Sequence, residues 1–294
     1  MVAAIAFKLS SERAAVPSLA QLRSLIEYAK FAWAGALRSR VFGWLDTIFL
    51  SAFVSASPVG IYEAAWGIAS MLAIASNSVR KTLFPEMSYL DSNQDHEQIR
   101  HYLDEALAFG GIFIIPGLAG AAILGERVLQ FYRPEFGQGS TILIILISAY
   151  VADICASQFN SAINALNYPD RAFRVNAVFI ILNVALNLVL ISWIGWHGAA
   201  IATAVSSCVR AVVGYVVLRQ IIGIISIPYE DIGRQILAAA IMMAIMYPII
   251  RNLASDRLII IVIVGSGAIL YTITLLIIAP RVRTKAKGIL RTIT

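Results

Sequence analysis

Hydrophobic residues fall along this chain in runs of about twenty, separated by short polar stretches. That length crosses the hydrocarbon core as a helix and is about twice what a barrel strand needs. Read with a helix-sized window, the pattern predicts about eight spans, at 31–53, 61–83, 106–125, 141–163, 173–194, 198–218, 236–250 and 258–279. The first and second are joined by a tight turn around Pro58 and Gly60, and the seventh is short and holds Pro248. Before the first span, Leu19, Leu22, Leu25 and Ile26 keep helical spacing and predict an interfacial helix. The longest connection runs from Pro85 to Glu105; in it Ile99, Tyr102, Leu103 and Ala106 share one helical face, as in a segment lying on the membrane surface. Pro116 predicts a kink in the third span.

Composition agrees: 59% of residues are hydrophobic and 14% charged, against about 25% charged in a soluble domain. The expected fold class is an all-α integral membrane protein. Charge then orients it. Lys8, Arg13, Arg23 and Lys30 precede the first span, alternate loops hold Lys81 with Arg100, Arg171 with Arg174 and Arg219 with Arg234, and the tail holds Arg281, Arg283, Lys285, Lys287 and Arg291. The opposite loops carry fewer, so both termini are expected on the cytoplasmic side of the cell membrane. Trp193 and Trp196 then fall at the outer interface. The net charge of +6 is spread between spans and not gathered on one soluble face, so no nucleic-acid partner is expected.

Within the apolar runs, polar residues form stripes. Glu63, Ser70, Asn77 and Lys81 fall within about 40° of one line on a 3.6-residue helix. So do Asp153, Ser157, Asn160 and Asn164; Asn176, Asn183 and Asn187 mark the fifth span, and Thr203, Ser207 and Arg210 the sixth. Two readings are open: interhelical hydrogen bonding, or a pathway, which ionisable groups at membrane depth usually mark. The asparagines lean to the first reading, Asp153 and Arg210 to the second. Arg38 and Arg40 lie near a span end, where snorkelling to the headgroups competes with facing a lumen. Asp46 lies deeper, with Arg38, Arg40 or Arg210 as its expected partner.

No phosphate-binding G-x-x-x-x-G-K-[ST] loop, nucleophile elbow or His/Cys cluster occurs, so neither enzyme chemistry nor a cofactor or metal is expected. His96 and His101 lack a third ligand and read as solvated surface residues. Cys155 and Cys208, each inside an apolar run, read as small packing residues.

Some stretches carry a family resemblance. Gly60-Ile61-Tyr62 with Ala64-Ala65, Phe84-Pro85-Glu86-Met87-Ser88, Tyr132-Arg133-Pro134-Glu135-Phe136 and, most of all, NVALNLVLISWIGWHGAAIATA from Asn183 onward resemble the polysaccharide-exporter branch of the multidrug/oligosaccharidyl-lipid/polysaccharide (MOP) flippase superfamily. The matches span roughly residues 30–220. Members of that family have about 12–14 spans in two six-helix lobes related across a central site. The resemblance implies a MATE/MOP-like six-helix lobe, the second of the two, over 30–220. It is preceded by an interfacial segment at 1–29, extended by two helices at 221–280, and closed by a basic cytoplasmic tail at 281–294.

It further implies translocation of a polyprenyl-phosphate-linked oligosaccharide through a cationic cavity, driven by a gradient or potential and not by ATP. By position, Arg38, Arg40, Asp46, Asp153, Asn160 and Arg210 are the candidates for that cavity. A first-lobe partner chain or a homodimer would supply the other half. Membrane lipids and polysaccharide-synthesis enzymes are further partners. The alternatives are a non-transporting or truncated scaffold in polysaccharide assembly, and a cation-coupled multidrug exporter.

Overall fold

The computed structural model describes residues 44–92, 96–252 and 257–293, and these are helical nearly throughout. The predicted interfacial helix at 19–26, most of the first span, and Arg38 and Arg40 lie outside the described residues. In chain order the helices are α1 Trp44–Phe53, α2 Ala56–Leu72, α3 Ile74–Ser92, α4 His96–Gly110, α5 Ile114–Gln130, α6 Ser140–Ala165, α7 Pro169–Ile194, α8 Trp196–Ile222, α9 Tyr229–Asn252, α10 Arg257–Ile278 and α11 Pro280–Ile293, with a short 3-10 helix at Pro134–Gly139 between α5 and α6. Among the described residues six stretches are long and apolar enough to cross a membrane: α4 with α5, the 3-10 helix with α6, then α7, α8, α9 and α10.

The second predicted span is broken. α2 and the α3 helix after it are bent by 47° around Ala73. Hydroxyls crowd that region and bond back along the helix, Ser70 to the Gly67 carbonyl and Ser78 to that of Ile74, which bends helices. The third span breaks too, ahead of Pro116. The Pro116 ring would strike the carbonyl of Ile112, four residues earlier, so the chain unwinds after Gly110 and Pro116 sits in the first turn of α5. The carbonyls freed there are recaptured: Ser76 donates to Gly110 at 2.5 Å and Gln235 to Ala108 at 2.6 Å. α4 buries Ile99, Leu103 and Ala106, three of the four residues of the face predicted for the connection, while Tyr102 is half-buried. Most of that connection is helix, since α3 runs on through Pro85.

α6 and α8 lie at the centre, packed along their lengths, with α7 folded back against α8. The reversal turns on Gly195, at φ 61°, a backbone state that costs a side chain energy. Beyond it Gly198 is held so close that an added Cβ would lie 2.3 Å from the Leu190 carbonyl oxygen. Buried Ala199, Ala200 and Ala202 continue the close approach, as small residues do where lipid supplies no hydrophobic drive. One apolar cluster joins α1, α2, α5, α6, α7 and α8 around Tyr62, Leu146 and Phe179. A second joins α3, α4, α6, α7 and α8 around Met87, Leu103 and Leu218. A third lies between α5, α9 and α10 around Met242 and Tyr271. Cys155 packs against the second cluster, whereas Cys208 is exposed.

Arginines close helix ends. Arg100 donates to the Ile222 carbonyl of α8 at 2.8 Å, Arg127 to that of Ile250 in α9 at 3.0 Å, and Arg283 to those of Leu276 and Ile277 in α10 at 2.9 and 2.5 Å. Each places a cation where carbonyls lack partners and the helix dipole is negative.

Candidate functional site

Two polar networks are enclosed by the helices, stacked along α7 and α8. In the first, Asp46 of α1, 3% exposed, accepts from the Tyr62 hydroxyl of α2 at 2.5 Å, the Thr203 hydroxyl of α8 at 2.6 Å and the Asn187 amide of α7 at 2.9 Å. Asn183 donates to Thr203 at 3.0 Å and accepts from Asn187 at 3.1 Å. Four helices thus converge on one carboxylate through neutral donors. Burying a charge without such bonds is costly, and here each carboxylate oxygen has at least one.

In the second, Arg210 of α8, 1% exposed, reaches Asp153 of α6 at 2.7 Å. Its Nε donates to Asn176 of α7 at 3.1 Å, and Nη1 lies 3.4 Å from the Ser157 hydroxyl. The polar positions of α7 and α8 recur at two-turn spacing on both helices, so the antiparallel hairpin brings Asn176 to Arg210 and Asn183 to Thr203. Among the described residues Asp46 therefore meets neutral partners, and the Arg210 that the sequence offers as its counter-ion belongs to Asp153.

Asn160, one turn beyond Ser157 on the same face of α6, is half-buried, and its Oδ1 is enclosed with no partner among the described residues. The α2–α3 stripe has the opposite fate: Glu63, Asn77 and Lys81 are all exposed, with Glu63 accepting from Thr47 of α1. Tyr62, which no stripe contains, Thr203, and Asn183 and Asn187, which the stripes lean toward interhelical hydrogen bonding, are functional candidates that stripe counting does not single out. The signal that could have found them is the N-x-x-x-N spacing opposite a threonine.

Among the described residues no three His, Cys, Asp or Glu side chains gather as a metal site. The first network is nonetheless an all-oxygen donor set of single negative charge: Asp46, Asn183, Asn187 and Thr203. Asn187 Oδ1 is buried and accepts nothing among the described residues. Oxygen donors of this kind suit a hard cation or a proton on the carboxylate.

A third feature is apolar. Between α5 and the α9–α10 pair runs a cavity of about 430 Å³, lined by Leu72, Phe113, Gly120, Met246, Gly267 and Leu276 among others. Tyr271 lines it as well, and its hydroxyl is enclosed without a partner among the described residues.

The comparisons with known proteins follow the same lines. The family described as "Lipid II flippase MurJ" matches residues 2–277. Two proteins of Haloferax volcanii are similar: "Probable flippase AglR", 31% identical over 93% of this chain and 58% of its own length, and "Probable low-salt glycan biosynthesis flippase Agl15", 27% identical over 99% of this chain and 62% of its own. The solved structure "Lipid II flippase MurJ, inward closed conformation" superposes with a TM-score of 0.65 at 16% identity, over 81% of this chain and 51% of that one. The chain thus spans half to three-fifths of the length of the proteins it resembles. It shares their helical fold, crosses the membrane several times, and belongs to the MurJ flippase family.

Proposed function

We propose that this chain acts as the second half of a flippase that moves a polyprenyl-phosphate-linked oligosaccharide across the cell membrane for surface-glycan synthesis. The observation that carries the reading is the family match over residues 2–277, supported by relatives named as flippases, one of them for glycan biosynthesis. On this reading residues 30–220 form a six-helix lobe, 221–280 add two helices, and both termini are cytoplasmic. The polysaccharide-exporter branch is the finer placement that the motifs suggest. Alternating access requires two halves around a central site, so a partner lobe or a second copy completes the transporter.

The geometry supports a division of labour. The exposed stripe of α2–α3 offers polar and charged side chains to the completed cavity, to which Arg38 and Arg40 are assigned from their sequence position alone. Arg210 holds Asp153 and so fixes the polar wall, while Asp46 and its oxygens form the coupling site for a proton or a monovalent cation. The apolar groove beside α9 and α10 takes the isoprenoid tail. None of these roles needs bond-making in the substrate, so the chain is a transporter and not a catalyst.

A photo-crosslinking polyprenyl-phosphate glycolipid tests this reading. Labelling of the α10 groove face at Gly267 and Leu276, suppressed by excess unlabelled glycolipid, is the expected result. Labelling spread evenly over α10, including outward-facing Val262 and Ile269, would contradict the groove assignment.

A further inference from the structure

The helix α11 follows α10 after a single residue, and residues 280–294 contain Arg281, Arg283, Lys285, Lys287 and Arg291 with no acidic residue. Its cations divide between two flanks. Arg281 binds Asp104 of α4 at 2.7 Å and Asp231 of α9 at 2.9 Å. One turn on, Lys285 binds Glu105 at 3.0 Å. Burial lowers the Arg281 pKa, but the bonds to Asp231 and Asp104 outweigh it and hold the guanidinium above its ordinary value. This flank is neutralised by the protein itself.

Arg283 and Lys287 lie roughly 200° and 240° around the helix from Arg281. Both are exposed, and among the described residues no carboxylate pairs with either. Arg283 spends its hydrogen bonds on the carbonyls that end α10, which keeps its charge while tying it to the end of a membrane span. The row between the flanks, Val282 and Ala286, is apolar and half-buried, with Val282 packed on the α9–α10 core. A helix anchored by its apolar row on the end of a span, with an uncompensated cationic flank left exposed, has the chemistry of an anionic-lipid-binding element.

We propose that the α11 flank carrying Arg283 and Lys287 is a docking surface for anionic phospholipid headgroups in the leaflet at the end of α10. The charge is matched by phosphate, and the tie of Arg283 to the last carbonyls of α10 places the flank at a membrane surface, which favours a bilayer over a soluble anion. The inference rests on the position of α11 and is independent of the transported substrate.

The test is hydrogen–deuterium exchange of 280–291 in the full chain, reconstituted in nanodiscs of phosphatidylcholine alone or mixed with phosphatidylglycerol. Exchange should slow in the anionic discs by roughly fivefold or more, and the R283Q/K287Q double variant should lose that slowing. R281Q, which frees the paired flank, should speed exchange in neutral discs yet keep the lipid dependence. Unchanged exchange in α6 and α8 certifies the fold of each variant. Equal exchange in both lipids, or full protection retained by R283Q/K287Q, would overturn the proposal. So would inorganic phosphate reproducing the protection in neutral discs, since it would assign the site to a soluble anion.

Discussion

Arg210 donates to Asp153 across 2.7 Å, from α8 to α6, with the guanidinium 1% exposed and the carboxylate 12%. An ion pair so enclosed is balanced between desolvation and attraction, and removing one partner strands the other. Arg210→Met alone and Asp153→Leu alone should each cost about 3–5 kcal/mol. The double variant should recover most of that loss, as a lower loss of unfolding midpoint in detergent. A double variant as unstable as the sum of the singles would show that the pair does not act as a unit.

Tyr62 and Thr203 both donate to Asp46 Oδ2. Hydrogen bonds to a charged acceptor contribute about 1.5–3 kcal/mol. Tyr62→Phe and Thr203→Val should therefore each destabilise by about that amount, and the pair should be non-additive because one oxygen is shared. Chemical denaturation of the four proteins checks it. If Asp46 is the coupling site, both variants also weaken the dependence of transport on the driving ion.

The junction between α4 and α5 depends on two borrowed donors. Ser76→Ala and Gln235→Leu each leave a buried carbonyl unpaired, at about 1–3 kcal/mol. Backbone exchange around Gly110 should accelerate while α6 stays protected. Gly111→Ala should act in the same place, since its Cβ would meet Gln235 Oε1 at 2.5 Å and Ile115 at 2.8 Å. Gly120→Ala, with no atom within 4 Å of the added carbon, is the control and should be near neutral.

Gly198→Ala should be the most damaging small substitution in the chain. The atom its Cβ would strike at 2.3 Å is backbone of the preceding helix, which cannot swing aside. Loss of folded protein at the expression temperature is the expected outcome, with Gly233→Ala, which meets nothing, expressing normally.

The spans were legible because lipid demands long apolar helices, and α6, α7, α8 and α10 lie where the runs predict them. The break at Gly110 was half legible: Pro116 announced it, but the carbonyl the proline would strike, and so the break, precedes it. Which polar stripe turns inward was not legible. Asn176, Asn183 and Asn187 are buried, while Glu63, Asn77 and Lys81, equally periodic, are exposed; periodicity defines a face, and only packing says what covers it. Nor could spacing name the partners of Asp46, since Tyr62, Asn187 and Thr203 stand 16, 141 and 157 residues away. Of the partners the sequence offers, Arg210 belongs to Asp153 and Arg38 and Arg40 lie outside the described residues; among the described residues three neutral donors satisfy the carboxylate.

Flipping is read from the leaflet distribution of the lipid-linked oligosaccharide. It would be measured in the native host with the gene intact, deleted, and restored by this chain together with its partner half. Inner-leaflet accumulation is expected on deletion, reversed on restoration and not reversed when Asp46→Leu replaces the wild-type chain at equal abundance. An unchanged leaflet distribution on deletion would contradict flipping by this chain.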